Sequence, residues 1–156
     1  MTDEYEFYHG SVLWSLIVGC NSPISIGVDD QMGRVDSFSI NGKVAIHIKH
    51  SAKRLSPWQF TFSRDNVEEL IALDGKHKSL FVCLVCGDDG ILAISPDEFL
   101  QVSGPAKSET YWIRVERPRN KMYEVSGNAG TLALKKSKGL AVVVDSVKAL
   151  SKQTTE

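Results

Sequence analysis

The feature that most constrains this chain is the dipeptide Asn41-Gly42, which lies between two runs of alternating and β-branched residues. Such a dipeptide favours a two-residue type I′ turn, so the stretch 33–51 is predicted to form a β-hairpin. A two-residue loop sets the register, with Ile40 opposite Lys43 and, at the far end of the pairing, Asp36 opposite His47. Because side chains alternate along a strand, Lys49 is expected on the face of His47. The hairpin therefore predicts a cluster of a carboxylate, an imidazole and an ammonium group.

Hydrophobic periodicity predicts helices and strands on both sides of this hairpin. In the first helix, Glu6 and His9 fall within the apolar stripe, which indicates either a functional or strained site or a frayed first turn that leaves both side chains in water. The run 79–86 is almost continuously apolar, which is typical of a strand buried on both faces of a sheet. The flanking segments are predicted, in chain order, as a helix at 3–19, strands at 24–28 and 58–62, a helix at 64–73, strands at 79–86 and 91–94, and a short helix at 96–100.

The residues after the loop at 103–105 are predicted to be rich in β-structure. Runs at 111–116 and 122–125 predict a hairpin around Arg117–Asn120, and short strands are expected at 131–134 and 140–144. A last helix at 142–150 is the alternative for the final segment. We expect residues 1–104 to form the core of the fold and residues 105–156 to form an extension packed on the same domain, with the last residues flexible.

The cysteine pattern and the absence of targeting signals set the expected environment. Cys83 and Cys86 have CxxC spacing, but residues three apart in a strand point to opposite faces, so these residues and Cys20 are predicted to be buried, reduced thiols. The acidic N-terminus lacks the pattern of a secretory leader, and no apolar run is long enough for a membrane span. A cytoplasmic protein without a membrane partner is the expectation.

The net charge of −1 gives no overall electrostatic attraction to nucleic acid. The distribution of the charged residues along the chain is more informative about binding partners. Basic residues concentrate in and just after the second hairpin strand, where they are followed by Trp58. A nucleic-acid-binding patch is predicted from Lys43, His50, Lys53 and Arg54. A homodimer or a protein partner is a further expectation.

The order helix, strand, hairpin, helix, buried strand, together with Asp36 and His47-Ile48-Lys49, resembles the PD-(D/E)XK nuclease superfamily over roughly residues 5–102. This resemblance implies an α/β, restriction-endonuclease-like fold, in which a central mixed sheet is flanked by helices, with extra C-terminal strands. Asp36 matches the family's aspartate, and His47-Ile48-Lys49 stands where the family has (D/E)-x-K. Glu6 matches the glutamate of the first helix, and Glu4 is less well placed.

The resemblance implies a phosphodiesterase site with catalytic residues Asp36, His47, Lys49 and Glu6. Asp36, His47 and Glu6 would hold Mg²⁺ or Mn²⁺, and the imidazole in place of a carboxylate favours Mn²⁺. Lys49 would orient or deprotonate the attacking water.

Three hypotheses follow from the sequence. The first is a divergent metal-dependent nuclease that hydrolyses nucleic acid. The second is a catalytically inactive module of the nuclease fold that binds nucleic acid or a protein partner. The third is a small domain in which Asp36 and His47 make an ordinary cross-strand contact.

Overall fold

The computed structural model describes residues 4–29, 35–104, 110–118 and 121–152. The start of the predicted hairpin stretch, residues 33–34, and part of its preceding loop lie outside these residues. The described elements are, in chain order, α1 (Glu4–Cys20), β1 (Ile26–Val28), β2 (Ser37–Ile40), β3 (Val44–Ser51), β4 (Trp58–Ser63), α2 (Arg64–Lys76), β5 (Ser79–Cys86), β6 (Gly90–Ile94), α3 (Pro96–Ser103), β7 (Thr110–Glu116), β8 (Glu124–Gly127), β9 (Gly130–Thr131) and α4 (Ala141–Ser151).

A mixed sheet in the order β1-β2-β3-β5-β6, here called the large sheet, forms the centre of the fold. Its first three strands are antiparallel, β3 and β5 are parallel, and β6 is antiparallel to β5. Helices α1 and α4 pack on one face, whereas α2 and α3 pack on the other. The predicted fold class, a mixed sheet flanked by helices with further C-terminal strands, is confirmed.

A second sheet in the order β4-β7-β8-β9, here called the small sheet, covers the α2 side of the large sheet. The extended segment 58–63 pairs with β7, and its alternation buries Trp58, Phe60 and Phe62. The predicted hairpin of β7 and β8 is confirmed, although residues 119–120 of its turn lie outside the described residues. At the C-terminal end, the strand predicted at 140–144 is wrong and the helical alternative is right, because α4 occupies that segment.

Two hydrophobic clusters lie on the two faces of the large sheet, and β5 contributes to both. Cys83 belongs to the cluster beneath α1 and α4, and Cys86 belongs to the cluster beneath α2 and the small sheet. Burial raises the pKa of the Cys83 thiol to about 12, so this cysteine stays protonated at neutral pH. The prediction of buried, unpaired thiols on opposite faces is confirmed.

Local capping chemistry explains where two of the helices begin. The hydroxyl of Ser63 accepts a hydrogen bond from the amide of Asn66 at 3.2 Å, and that of Ser95 accepts one from Glu98 at 3.2 Å. Both arrangements are capping boxes, which satisfy backbone N–H groups that the first helical turn leaves unpaired. Within the described residues, no helix combines the length and the hydrophobicity that crossing a bilayer requires.

The register of the hairpin differs from the prediction by one residue. Ile40 pairs with Val44 and Ser37 pairs with His47, because the loop contains three residues, Asn41–Lys43, instead of two. Asn41 and Gly42 have the positive φ angles of 54° and 68° that the dipeptide favours, and the amide of Lys43 closes the loop on the carbonyl of Ile40 at 3.1 Å. The prediction that Asp36 faces His47 is wrong, since a one-residue slip moves each side chain of β2 to the other face relative to β3.

Candidate functional site

The observed register divides the predicted catalytic residues between the two faces of the large sheet. Asp36 stands beside Ile48, whose amide donates to the Asp36 carbonyl at 2.9 Å, and its carboxylate lies 3.7 Å from His9 Nε2 of α1. The side chains of His47 and Lys49 point to the opposite face, toward α2 and β4. The structure therefore does not gather Asp36, His47 and Lys49 around one space.

His47 lies in a buried polar cluster with Ser37 and Glu69, which we call the Ser-His-Glu cluster. The Ser37 hydroxyl lies 2.9 Å from His47 Nδ1 and donates to the Glu69 carboxylate, which is itself 3.2 Å from the same imidazole nitrogen. His47 is fully buried and Glu69 is 2% exposed. His47 Nε2 has no hydrogen-bond partner among the described residues, so the ring's polar contacts are made through Nδ1.

The electrostatics of Glu69 indicate a carboxylate that the fold keeps charged. Burial raises its pKa, but hydrogen bonds from His47 and Ser37 oppose this effect and bring the pKa below its ordinary value. Both Ser37 and Glu69 contact Nδ1 of His47, whereas a nucleophilic triad places the serine and the carboxylate on opposite ring nitrogens. The Ser-His-Glu cluster is therefore suited to holding α2 on the sheet.

Lys49 is also engaged on the α2 side. Its ammonium group donates to Asn66 Oδ1 at 3.2 Å and lies 5.1 Å from the centre of the Phe62 ring. Asn66 is the same residue that closes the capping box of α2. Lys49 thus contacts the beginning of α2, on the far side of the sheet from the Asp36 carboxylate.

The predicted metal ligands are not brought together. Glu6 is exposed on α1, whereas the helix faces the sheet through His9, Val12 and Leu16. Asp36 and His47 lie on different faces of the large sheet, as described above. Along residues 4–29, 35–104, 110–118 and 121–152, no three side chains of His, Cys, Asp or Glu form a group that would hold a metal ion. The donor set predicted for Mg²⁺ or Mn²⁺ does not fit the observed arrangement.

A different polar group forms where the two parallel strands β3 and β5 end, which we call the carboxyl edge. Glu4 Oε1 of α1 lies 3.2 Å from His50 Nε2, and the Tyr8 ring stacks on the imidazole of His50 at 4.8 Å. Partial burial, with the nearby carboxylates of Glu4 and Asp88, raises the pKa of Tyr8. The acidic residue of α1 that contacts the sheet is therefore Glu4, not Glu6.

An open cleft of about 400 Å³ adjoins this group at the carboxyl edge. Tyr8, Ser11 and Ser15 of α1 line one side, and Asp88 and Lys138 line the other. In open α/β sheets, ligands bind outside the carboxyl ends of parallel strands, which is the position of this cleft. The carboxyl edge therefore combines an open cleft with the strand ends at which such sheets bind ligands.

The predicted nucleic-acid patch is only partly assembled. Lys53 and Arg54 are exposed in the loop 52–57, which follows β3 at the carboxyl edge, and His50 lies half-buried at the end of the same strand. Lys43 lies at the opposite end of β3, about 23 Å from His50 at the usual strand rise, where its ammonium donates to the carbonyl of Leu150. The structure thus places Lys53 and Arg54 together and separates Lys43 from them.

The loop that carries these cations is held by backbone contacts. The amide of Gly87 donates to the Ser51 carbonyl at 2.8 Å, and the Trp58 indole donates to the Lys53 carbonyl at 2.8 Å. Trp58 is buried, so it anchors the loop and is not available for base stacking. Lys53 and Arg54 therefore project from a backbone of fixed position.

Comparison with known proteins assigns no family and no function to this chain. No protein-family model matches the chain, and no curated protein matches its sequence. Among solved structures, it is similar to Hjc, a Holliday junction resolvase from the archaeal hyperthermophile Archaeoglobus fulgidus, with 12% identity and a TM-score of 0.41. The match covers 70% of this chain and 87% of the resolvase. Because so low an identity transfers no residue role, the functional proposal rests on the geometry of this chain.

Proposed function

We propose that this protein is a catalytically inactive module of nuclease-like fold that binds nucleic acid along the carboxyl edge. One observation carries the proposal: the residues that would perform catalysis lie apart, whereas the loop that carries the exposed Lys53 and Arg54 contacts Gly87, which lines the cleft. His47 is fully buried against Glu69, and Lys49 is bound to Asn66, so neither is placed to act with Asp36 on a phosphodiester.

Phosphate recognition requires cations that stay exposed and that are fixed relative to one another. Lys53 and Arg54 meet the first condition. The hydrogen bond of Trp58 to the Lys53 carbonyl, with that of Gly87 to Ser51 at the end of β3, provides the second. Lys138 adds a third exposed cation on the wall of the neighbouring cleft. Ser11 lines the same cleft, and its hydroxyl can donate a hydrogen bond to a phosphate oxygen, whereas the Ser15 hydroxyl donates to the Ser11 carbonyl at 2.9 Å.

Replacing both Lys53 and Arg54 by glutamate is expected to weaken nucleic-acid binding at least about tenfold at low salt. Two phosphate contacts would be lost, so the slope of log K against log salt concentration should become shallower by about 2. Filter binding of labelled single-stranded and double-stranded oligonucleotides over a series of salt concentrations measures both quantities.

The matched control carries the same change in charge at the other end of β3. Lys43→Glu with Lys78→Glu alters two lysines near the hairpin turn, where the amide of Lys78 donates to the Lys43 carbonyl. This variant should bind nearly as well as the wild type. Equal weakening by the two double variants would show a non-specific effect of charge and would contradict a site at the carboxyl edge.

A further inference from the structure

Helix α1 exposes an apolar face on the side away from the sheet. Its sheet-facing side is formed by His9, Val12, Leu16 and Cys20, which are buried. The opposite side exposes Phe7 at 68%, Trp14 at 67%, Ile17 at 51% and Val18 at 54%. A helix that is apolar all round is normally covered on both sides, and a contiguous exposed apolar patch of this kind marks an interface.

The spacing of the exposed residues is that of a helix-packing seam. Phe7, Gly10, Trp14 and Ile17 follow one another at intervals of three, four and three residues, as in a heptad repeat. Gly10 is exposed, and a Cβ placed there would meet no atom of the protein within 4 Å. Glycine costs a helix about 1 kcal/mol relative to alanine, so local stability gives no reason for it at this position.

The seam is complementary to itself when two copies of α1 run antiparallel. Positions 7 and 17, like positions 10 and 14, are symmetric about Val12. A twofold axis that crosses the exposed face at the level of position 12 along the helix therefore brings Trp14 of one copy over Gly10 of the other and brings Phe7 against Ile17. In a twofold contact each such pair occurs twice, as an isologous interface requires. We propose that the exposed face of α1 is the interface with a second copy of this chain.

The charges on and around α1 support a second copy of this chain as the partner at the exposed face. Residues 7–20 contain no Asp, Glu, Lys or Arg, so the seam brings no like charges together. The acidic residues Glu4 and Glu6 lie in the first turn of α1. At the other end of the helix, Lys148 lines the same surface cleft as Cys20. In the antiparallel pair, the acidic first turn of one copy lies toward Lys148 of the other.

Sedimentation velocity of the full chain over about 1 to 100 µM tests this interface. We expect the wild type to pass from monomer to dimer within that range. Gly10→Leu should raise the dimer dissociation constant at least about tenfold, because leucine occupies the space that Trp14 of the second copy would enter. The variant should remain folded, since leucine favours helix and meets open space at this position.

Gly75→Leu is the matched control, because Gly75 is an exposed glycine of α2 with open space around its Cβ position. This variant should dimerise like the wild type. A wild type that stays monomeric throughout would overturn the proposal. A dimer that Gly10→Leu leaves intact, or that both glycine variants weaken equally, would also overturn it.

Discussion

Replacing Glu69 by alanine is expected to lower the free energy of unfolding by about 3 kcal/mol. Glu69 is 2% exposed and receives hydrogen bonds from both Ser37 and His47, so its loss removes their shared acceptor and leaves the buried hydroxyl and imidazole with only each other as partners. Each such buried group costs about 1–3 kcal/mol when its partner is removed. Urea unfolding followed by tryptophan fluorescence measures the loss.

The neighbouring residue provides a control of the same type on the same helix. Glu68 is half exposed and pairs with Arg64 at 3.4 Å, one helical turn away, so Glu68→Ala should cost no more than about 0.5 kcal/mol. Equal losses for the two variants would contradict a structural role for the Ser-His-Glu cluster.

The pH dependence of the Glu69 effect has a defined sign. The pKa of Glu69 in the folded protein lies below its ordinary value of 4.5. Its stabilising contribution is therefore fully present above pH 4.5 and is lost as the pH falls through the folded-state pKa. The difference in the free energy of unfolding between the wild type and Glu69→Ala should become smaller as the pH falls below 4.5.

Replacing Gly87 by alanine is expected to destabilise the protein by at least about 2 kcal/mol and to weaken nucleic-acid binding as well. Gly87 has a φ of +52°, and a Cβ there would lie 2.3 Å from the carbonyl oxygen of Lys53. Because the contact is with backbone, the loop 52–57 must move, and Lys53 and Arg54 move with it. Chemical denaturation and oligonucleotide binding measure the two effects.

Gly42→Ala is the control that measures the cost of a left-handed backbone conformation without the steric contact found at Gly87. Gly42 has a φ of +68°, but its Cβ would meet nothing within 4 Å, so the expected cost is only the left-handed conformation, about 1 kcal/mol. Nucleic-acid binding should be unchanged in this variant. If Gly42→Ala and Gly87→Ala behave alike, the loop is not held in place by its contact with Gly87.

Much of the fold could be predicted because local signals and burial agreed. The alternating run 58–62, the continuous apolar run 79–86 and the capping serines all lie in the elements that they predicted. The sheet to which β4 belongs was not predictable in the same way. Its alternating pattern shows that one face is buried, but the partner, β7, lies almost fifty residues further along the chain.

The site was harder to predict because it depended on a single register. The dipeptide Asn41-Gly42 is compatible with both a two-residue and a three-residue loop. Matching the apolar residues would have favoured the longer loop, which pairs Ile40 with Val44 and Phe38 with Ile46 on one buried face. The shorter loop pairs the apolar Ile40 with the charged Lys43, and this mismatch in polarity is visible in the sequence alone.

Glu69 was missed because a glutamate in an amphipathic helix is usually solvated. Helical spacing nevertheless places it one turn from both Asn66 and Leu73, on the inward side of α2. His9, by contrast, was correctly placed on the sheet-facing side of α1, whereas Glu6 in the same predicted stripe is exposed. A polar residue at an inward helical position was therefore a correct signal for Glu69 and His9 but not for Glu6.

Cleavage of nucleic acid is the most direct test of the claim that the predicted catalytic residues do not form a site. Supercoiled plasmid and a labelled oligonucleotide would be incubated with Mg²⁺ or Mn²⁺ and with the wild type, Asp36→Ala or Lys49→Ala. We expect the wild type to bind the nucleic acid. It should cleave the plasmid and the oligonucleotide no faster than either variant does. Metal-dependent cleavage by the wild type that both substitutions abolish would contradict the account, because it would require Asp36 and Lys49 to act at one site.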